Sequence, residues 1–285
     1  MILVVGLSPA WQRTLEFRQL VPGKVNRAYR VSETASGKGV NVARVAMEAG
    51  GDVRLLTVAG GQRGRQLVGS MRAQRLPASV VRVESETRIC QTLIAGGVVT
   101  ELVEEAEPLS RREVSEVLAR FDRESRQATL VVLTGTVPAG CGDDFYARLI
   151  RRTNVPVLVD SQGRQLLKAI GARPFAVKIN RDELGAVPTL RQDAVEWLIV
   201  SDGGRDVTAR HDGMEFRVRP PRVKVINTIG CGDAMLAGIA VALSRGDPMS
   251  AAIRLGVACG AANALTPQPG QVRRADVKKL LRQLP

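Results

Sequence analysis

Short apolar runs alternate with amphipathic stretches along almost the whole chain. Met1 to Leu7 is continuously apolar but for Gly6 and reads as a buried strand. Arg13-Thr14-Leu15-Glu16-Phe17 and Ala28 to Thr34 alternate like half-exposed strands, separated by the turn Pro22-Gly23-Lys24-Val25-Asn26-Arg27. A helix pattern follows from Gly39. Val53 to Ala59 is again a strand, stopped by Gly60-Gly61, with a helix predicted over 65–75 and a short strand over 79–84. Thr87 to Ile94 and Val98 to Val103 flank Ala95-Gly96-Gly97, a hairpin signal. Ser110 with Glu113 forms a capping-box pattern opening a helix to about Gln127. Strands are then expected at 129–134, 155–160, 175–179 and 198–200, with helices at 144–152 and 164–170 between them. The β-branched run Val223 to Ile226 reads as a strand end. Helices are predicted over 233–243 and 251–264, and a last amphipathic helix follows the loop Thr266 to Gly270.

Strands separated by helices in this rhythm predict an α/β fold, a doubly wound and mostly parallel sheet. The alternating stretches interrupt that rhythm. They form a second, small sheet inserted from about 10–35 and 86–104 into a single domain spanning 1–285.

Composition narrows the function. Hydrophobic residues make up 45% of 285, with no apolar run long enough for a membrane helix, and the first strand does not read as a leader peptide. Four cysteines at 90, 141, 231 and 259 have neither disulfide-framework nor metal spacing, which suggests reduced thiols in a cytoplasm. The single histidine, His211, excludes a Ser-His-Asp triad and an all-histidine zinc site; it sits at a hairpin tip and reads as solvated. The formal charge is +13, arginines outnumber lysines 34 to 7, and they are spread along the chain. With 3% aromatics and no nucleic-acid-binding motif, no nucleic-acid partner is expected, and the charge suits phosphorylated metabolites instead.

The chemistry concentrates in Asn227-Thr228-Ile229-Gly230-Cys231-Gly232-Asp233, a Gly-x-Gly break entering a helix. Unpaired N–H groups of a helix's first turn, with the helix dipole, make an anion site. Asp233 is either a residue complementing that dipole or a carboxylate placed to take a proton from an attacking hydroxyl. Ser36-Gly37-Lys38-Gly39-Val40-Asn41 is a second glycine-flanked helix start, either a plain flexible turn or another anion cradle. Asn180 with Glu183 reads as an N-cap with an acidic first turn.

Residues 225–235 resemble the signature Asn/Asp-Thr-x-Gly-Ala-Gly-Asp of the ribokinase-like (PfkB) carbohydrate kinases, with Cys231 in place of its Ala. Gly37-Lys38-Gly39-Val40-Asn41-Val42-Ala43 resembles that family's first signature. Gly23 to Arg27, Glu86-Thr87-Arg88-Ile89 and Ala261 to Pro267 are similar to the 1-phosphofructokinase and tagatose-6-phosphate kinase branch. The resemblance implies phosphoryl transfer from ATP, with Mg2+, to a hydroxyl of a phosphorylated ketohexose. Asp233 would be the general base, and N–H groups of Gly230, Cys231 and Gly232 the anion hole. Substrate would be held by Gln12, Lys24, Gly37, Lys38, Gly39, Asn41 and Arg88. Lys178, Asn180, Ser201, Gly203, Thr228, Gly230 and Gly232 would bind the nucleotide. Asn180 and Glu183 would position magnesium through water. The small sheet would be a lid and the surface of a homodimer.

Beside Cys231, three further positions depart from the family pattern. Gln12 stands where this branch carries an Asp that grips sugar hydroxyls, Ile179 replaces a proline, and Asp206 replaces a glycine. The segment from Leu184 to Trp197 is shorter than in the family. A kinase of an unphosphorylated sugar or nucleoside, and a non-catalytic sugar- or nucleotide-binding homologue, are the alternatives.

Overall fold

A computed structural model describes residues 1–186 and 194–284. The short segment expected between Leu184 and Trp197 falls largely on residues outside that description. The first strand, β1 (Ile2–Val5), sets the architecture because its side chains alternate between two cores. Ile2 and Val4 enter one apolar cluster, and Leu3 and Val5 enter the other. A strand buried on both faces belongs at the centre of a sheet. In the order β13-β12-β11-β10-β9-β8-β1-β4-β5, β1 pairs in parallel with β8 (Leu130–Thr134) and β4 (Val53–Ala59). β5 (Ala78–Arg82), β9 (Val157–Asp160), β10 (Ala176–Asn180) and β11 (Trp197–Ser201) extend the parallel part. β12 (Val207–His211) and β13 (Met214–Val218) add an antiparallel edge. The expected doubly wound, mostly parallel sheet is therefore present.

Helices cover both faces. α1 (Lys38–Glu48), α2 (Gly61–Ala73), α7 (Cys231–Ser244), α8 (Met249–Asn263) and α9 (Arg274–Leu281) pack on the side of Ile2 and Val4. α3 (Arg111–Ser125), α4 (Phe145–Ile150) and α5 (Gly163–Ile170) pack on the other. α7 is apolar nearly all round and buried from Asp233 to Ala242, between α1 and α8. The capping box of α3 is formed: Ser110 Oγ accepts from the Glu113 N–H, and Glu113 accepts from the Ser110 N–H.

The second sheet has the order β3-β2-β6-β7, built from β2 (Ala10–Phe17), β3 (Arg30–Ser36), β6 (Arg88–Ala95) and β7 (Val98–Val103). β2 and β6 run parallel although facing residues, Ala10 with Arg88 and Phe17 with Ala95, lie 78 positions apart in the chain (88 − 10). Its outer parts expose Val25, Tyr29, Val31 and Val98.

Three local expectations are corrected. Val223 to Ile226 is not a strand: Val225 and Ile226 are exposed, and the Ile226 N–H donates to Ala264 O at 2.7 Å. Strand propensity there has no neighbouring strand to pair with, so the segment runs as a connection. The helix after Gly60 begins at Gly61, earlier than 65. His211 is not freely solvated; its ring stacks on Trp197 at 4.6 Å, and Nδ1 lies 2.7 Å from Glu196 O.

Candidate active site

Two helices begin at the carboxyl edge of the large sheet, beneath the small one, and their first turns face each other across a cavity of about 510 Å³. This is the edge at which open α/β sheets bind ligands. Gly230 is the N-cap of α7, and its φ of +82° is left-handed. A Cβ there would lie 2.6 Å from the Gly270 nitrogen, so the position needs glycine both for conformation and for space. Asn227 and Asn263 fix the loop. Asn227 Oδ1 accepts from the Ile229 N–H, and Asn263 Nδ2 donates to Ile229 O while its Oδ1 accepts from the Gly270 N–H. The Cys231 N–H is spent on Thr228 O at 3.2 Å, which corrects the expectation that it belongs to the anion hole. The N–H groups of Gly230, Gly232 and Asp233 make no hydrogen bond to a described residue.

Asp233 is 6% exposed. Its Oδ2 accepts from Asn41 Nδ2 at 2.8 Å, and Asn41 Oδ1 in turn accepts from Ser36 Oγ at 3.0 Å. The amide of Asn41, expected to face a substrate phosphate, is thus turned to the carboxylate. Burial pushes the Asp233 carboxyl above the ordinary range, Lys38 opposes this, and Asp160 adds to it. A carboxylate held with a raised proton affinity, yet kept ionisable by two lysines and an amide, suits a general base.

The charge beneath the cavity is organised by a residue that motif reading missed. Asp160, the last residue of β9, has no exposed surface and accepts from Lys38 Nζ at 2.7 Å and Lys178 Nζ at 2.9 Å. Burial alone would raise its carboxyl, but Lys178 and Lys38 hold it well below the usual range. Its position at the carboxyl end of a core strand was the available signal. Lys178 Nζ also lies 2.7 Å from where a Gly232 Cβ would sit, so any side chain at 232 would displace the ammonium from the helix start.

The small sheet supplies the roof. Gln12 is buried, and its Nε2 donates to Thr92 Oγ1 at 2.9 Å; its Oε1 has no partner among the described residues. Arg88 donates to Ser8 O and Glu104 O at 2.9 Å each, leaving a buried Nε without a partner among the described residues. Glu101, also unanticipated, faces the cavity with its carboxyl raised by burial and by Asp233. At the opposite end, Asn180 and Glu183 form the capping box that opens α6 (Arg181–Gly185): Asn180 Oδ1 accepts from the Glu183 N–H at 2.7 Å, and Glu183 Oε2 from the Asn180 N–H at 2.8 Å.

Of the residues singled out in the sequence, the cavity brings together Gln12, Gly37, Lys38, Gly39, Asn41, Arg88, Lys178, Asn180, Glu183, Thr228, Gly230, Gly232 and Asp233. Lys24 is exposed in the loop between β2 and β3 and does not line it. Ser201 and Gly203 do not line it either, although Ser201 pairs in register with Asn180. Asp206 does not occupy the left-handed region that would have favoured the family's glycine; it pairs with Arg219 at 2.8 Å.

A cavity with two helix starts, two lysines and a buried carboxylate is suited to phosphoryl transfer. The fold itself is ribokinase-like: ribokinase from Thermotoga maritima aligns with a TM-score of 0.78 at 21% identity over 99% of both chains. Phosphofructokinase-2 from Escherichia coli, solved with substrates and products, aligns with a TM-score of 0.90 at 23% identity, covering 99% of this chain and 98% of that one. Residues 1–273 match the pfkB family carbohydrate kinases, and the chain belongs to that family. A tagatose-6-phosphate kinase of Staphylococcus epidermidis is 28% identical over 100% of this chain and 98% of its own length.

Proposed function

We propose that this carbohydrate kinase transfers the γ-phosphoryl of ATP to a hydroxyl of a phosphorylated ketohexose, with Asp233 as general base. The observation that carries the reading is Asp233 itself: buried, oriented by Asn41, and placed in the first turn of α7 beside N–H groups with no other partner. The carboxylate takes the hydroxyl proton as the oxygen attacks, and the N–H groups of Gly230, Gly232 and Asp233 receive charge developing on the transferred phosphoryl. Lys38 and Lys178 add positive charge from below.

The guanidinium of Arg88, in the cavity wall, supports a substrate that already carries a phosphate, because a neutral sugar gains little from a cation there. Fructose-1-phosphate, fructose-6-phosphate and tagatose-6-phosphate fit this chemistry, and the tagatose-6-phosphate kinase relative supports it. Gln12 meets the sugar with a neutral amide oxygen where the branch has a carboxylate, so its hydroxyl contacts are weaker. ATP lies towards Lys178, Asn180 and Thr228, with Ser201 and Gly203 at the outer end of its site. Among the described residues no three His, Cys, Asp or Glu side chains cluster as a metal site. Asn180 and Glu183 also spend one oxygen each on their capping box, which suits an outer-sphere role through water. Magnesium bound with ATP would neutralise phosphate charge.

The small sheet closes over the cavity as a lid and excludes water from the transfer. Its exposed Val25, Tyr29, Val31 and Val98 offer a surface for a homodimer. Four free thiols and the absence, among the described residues, of a helix long and apolar enough to cross a membrane fit a cytoplasmic enzyme.

The test is ADP release from Mg-ATP against the three ketose phosphates, fructose and nucleosides, with Asp233→Asn as control. Turnover of one phosphorylated ketose that is lost in the variant supports the reading. Turnover of only unphosphorylated sugars or nucleosides overturns the substrate class, and ATP binding without any turnover overturns the kinase activity. Insensitivity of KM to Gln12→Ala overturns the role of Gln12.

A further inference from the structure

A second cavity, of about 740 Å³, lies between α2 and the edge strand β5 and shares no lining residue with the cleft. Its volume is within the range of about 300–1,000 Å³ typical of small-molecule sites. Its walls follow from two periodicities. Arg65, Val68 and Arg72 fall on one face of α2, and Ala78, Val80 and Arg82 alternate onto one face of β5. Arg65, Arg72 and Arg82 are exposed, and none makes an ion pair or a side-chain hydrogen bond among the described residues. The carboxylate of Glu86, beside Gly61, is spent on the N–H groups of Gln62 and Arg63. Three guanidinium groups thus line one concavity whose lining includes no carboxylate among the described residues.

We infer that this cavity is a second anion site, distinct from the cleft, that takes a nucleoside polyphosphate. Two features decide the ligand class. Arg65 and Arg72 are seven residues apart, roughly 10 Å along the helix, and with Arg82 they bring three positive charges to the concavity, more than one phosphate group balances. Between them the floor is apolar, with Val68 and Val80 partly exposed above the buried Met71 and Leu76. A nucleotide satisfies both, its base covering the apolar floor and its phosphates reaching guanidinium groups at the end marked by Arg65 and Arg82. The site also touches the roof of the cleft. Val83, at the rim, donates its N–H to Ala59 O, the Thr87 N–H donates to Gly60 O, and the next residue is Arg88. A bound nucleotide would stiffen this connection and so act on the substrate side of the cleft.

The inference goes beyond the kinase reading and does not depend on it. The experiment is calorimetric titration of the full chain with ATP, and separately with tripolyphosphate, comparing wild type with the Arg65→Ser/Arg72→Ser/Arg82→Ser variant. The expected result is an ATP-binding event weakened about tenfold or more by the triple substitution, whatever the cleft binds. ATP binding that is the same in both proteins overturns the site. Tripolyphosphate binding there as tightly as ATP overturns the nucleoside assignment. Because the three arginines are exposed, an unchanged melting temperature should accompany the loss; if the triple variant fails to fold, Arg65→Glu alone gives the same comparison.

Discussion

Replacing Asp160 with Asn tests whether the charge under the cleft is organised as described. The substitution removes the negative charge that Lys38 and Lys178 share at 2.7 and 2.9 Å. The two lysines then fare differently. The Lys38 side chain is 39% exposed and can turn to water, whereas that of Lys178 is 5% exposed and cannot. Leaving one buried charge uncompensated costs about 3–5 kcal/mol. Unfolding entropy of about 2.1 cal/mol/K per residue gives roughly 600 cal/mol/K for this chain, so the melting temperature should fall by about 5–8 °C. Adding Lys178→Met removes the stranded ammonium and should restore part of that loss. The assay is thermal unfolding followed by circular dichroism at neutral pH. The pH dependence supplies a second reading. The folded-state carboxyl of Asp160 is held low, so its contribution is present above the unfolded value, near 4, and is lost as pH falls. The gap between wild type and variant should therefore close in acid. A single variant melting within about 1 °C of wild type, or a double variant no better than the single, would refute the argument.

Other expectations follow from the same geometry. Asp233→Asn should abolish turnover yet melt no lower than wild type near neutral pH: burial raises the folded-state carboxyl, so the native protein loses stability as pH rises above the unfolded value. Turnover within about tenfold of wild type would exclude Asp233 as base. Asn41→Leu removes the amide that favours the ionised carboxylate, so the acid limb of kcat/KM should move to higher pH; an unmoved limb with only KM changed would assign Asn41 to binding instead. Gly230→Ala drives a Cβ into the Gly270 backbone and should lower kcat about tenfold or more while the fold persists, measured by turnover beside circular dichroism.

Hydrophobic periodicity determined most of this fold before any contact was known. The apolar run of β1 could only be a central strand, and the Ser110–Glu113 spacing fixed the start of α3. Gly-x-Gly before an apolar helix marked α7 as an anion site. Those signals are local, set by neighbouring dihedrals and side-chain period, and a sequence carries them in full. Tertiary structure decided the rest, because it depends on residues far apart in the chain. Asp160 lies 122 positions from Lys38, and Asn41 lies 192 from Asp233; nothing near any of them in sequence announces the pairing. The same holds for what failed: Val223 to Ile226 has strand composition but no partner, and Lys24 has the right charge but stands outside the cleft of its own chain. A motif names the groups a site uses, but the placing of β9, β10, α1 and α7 around one cleft decides which of them hydrogen-bond.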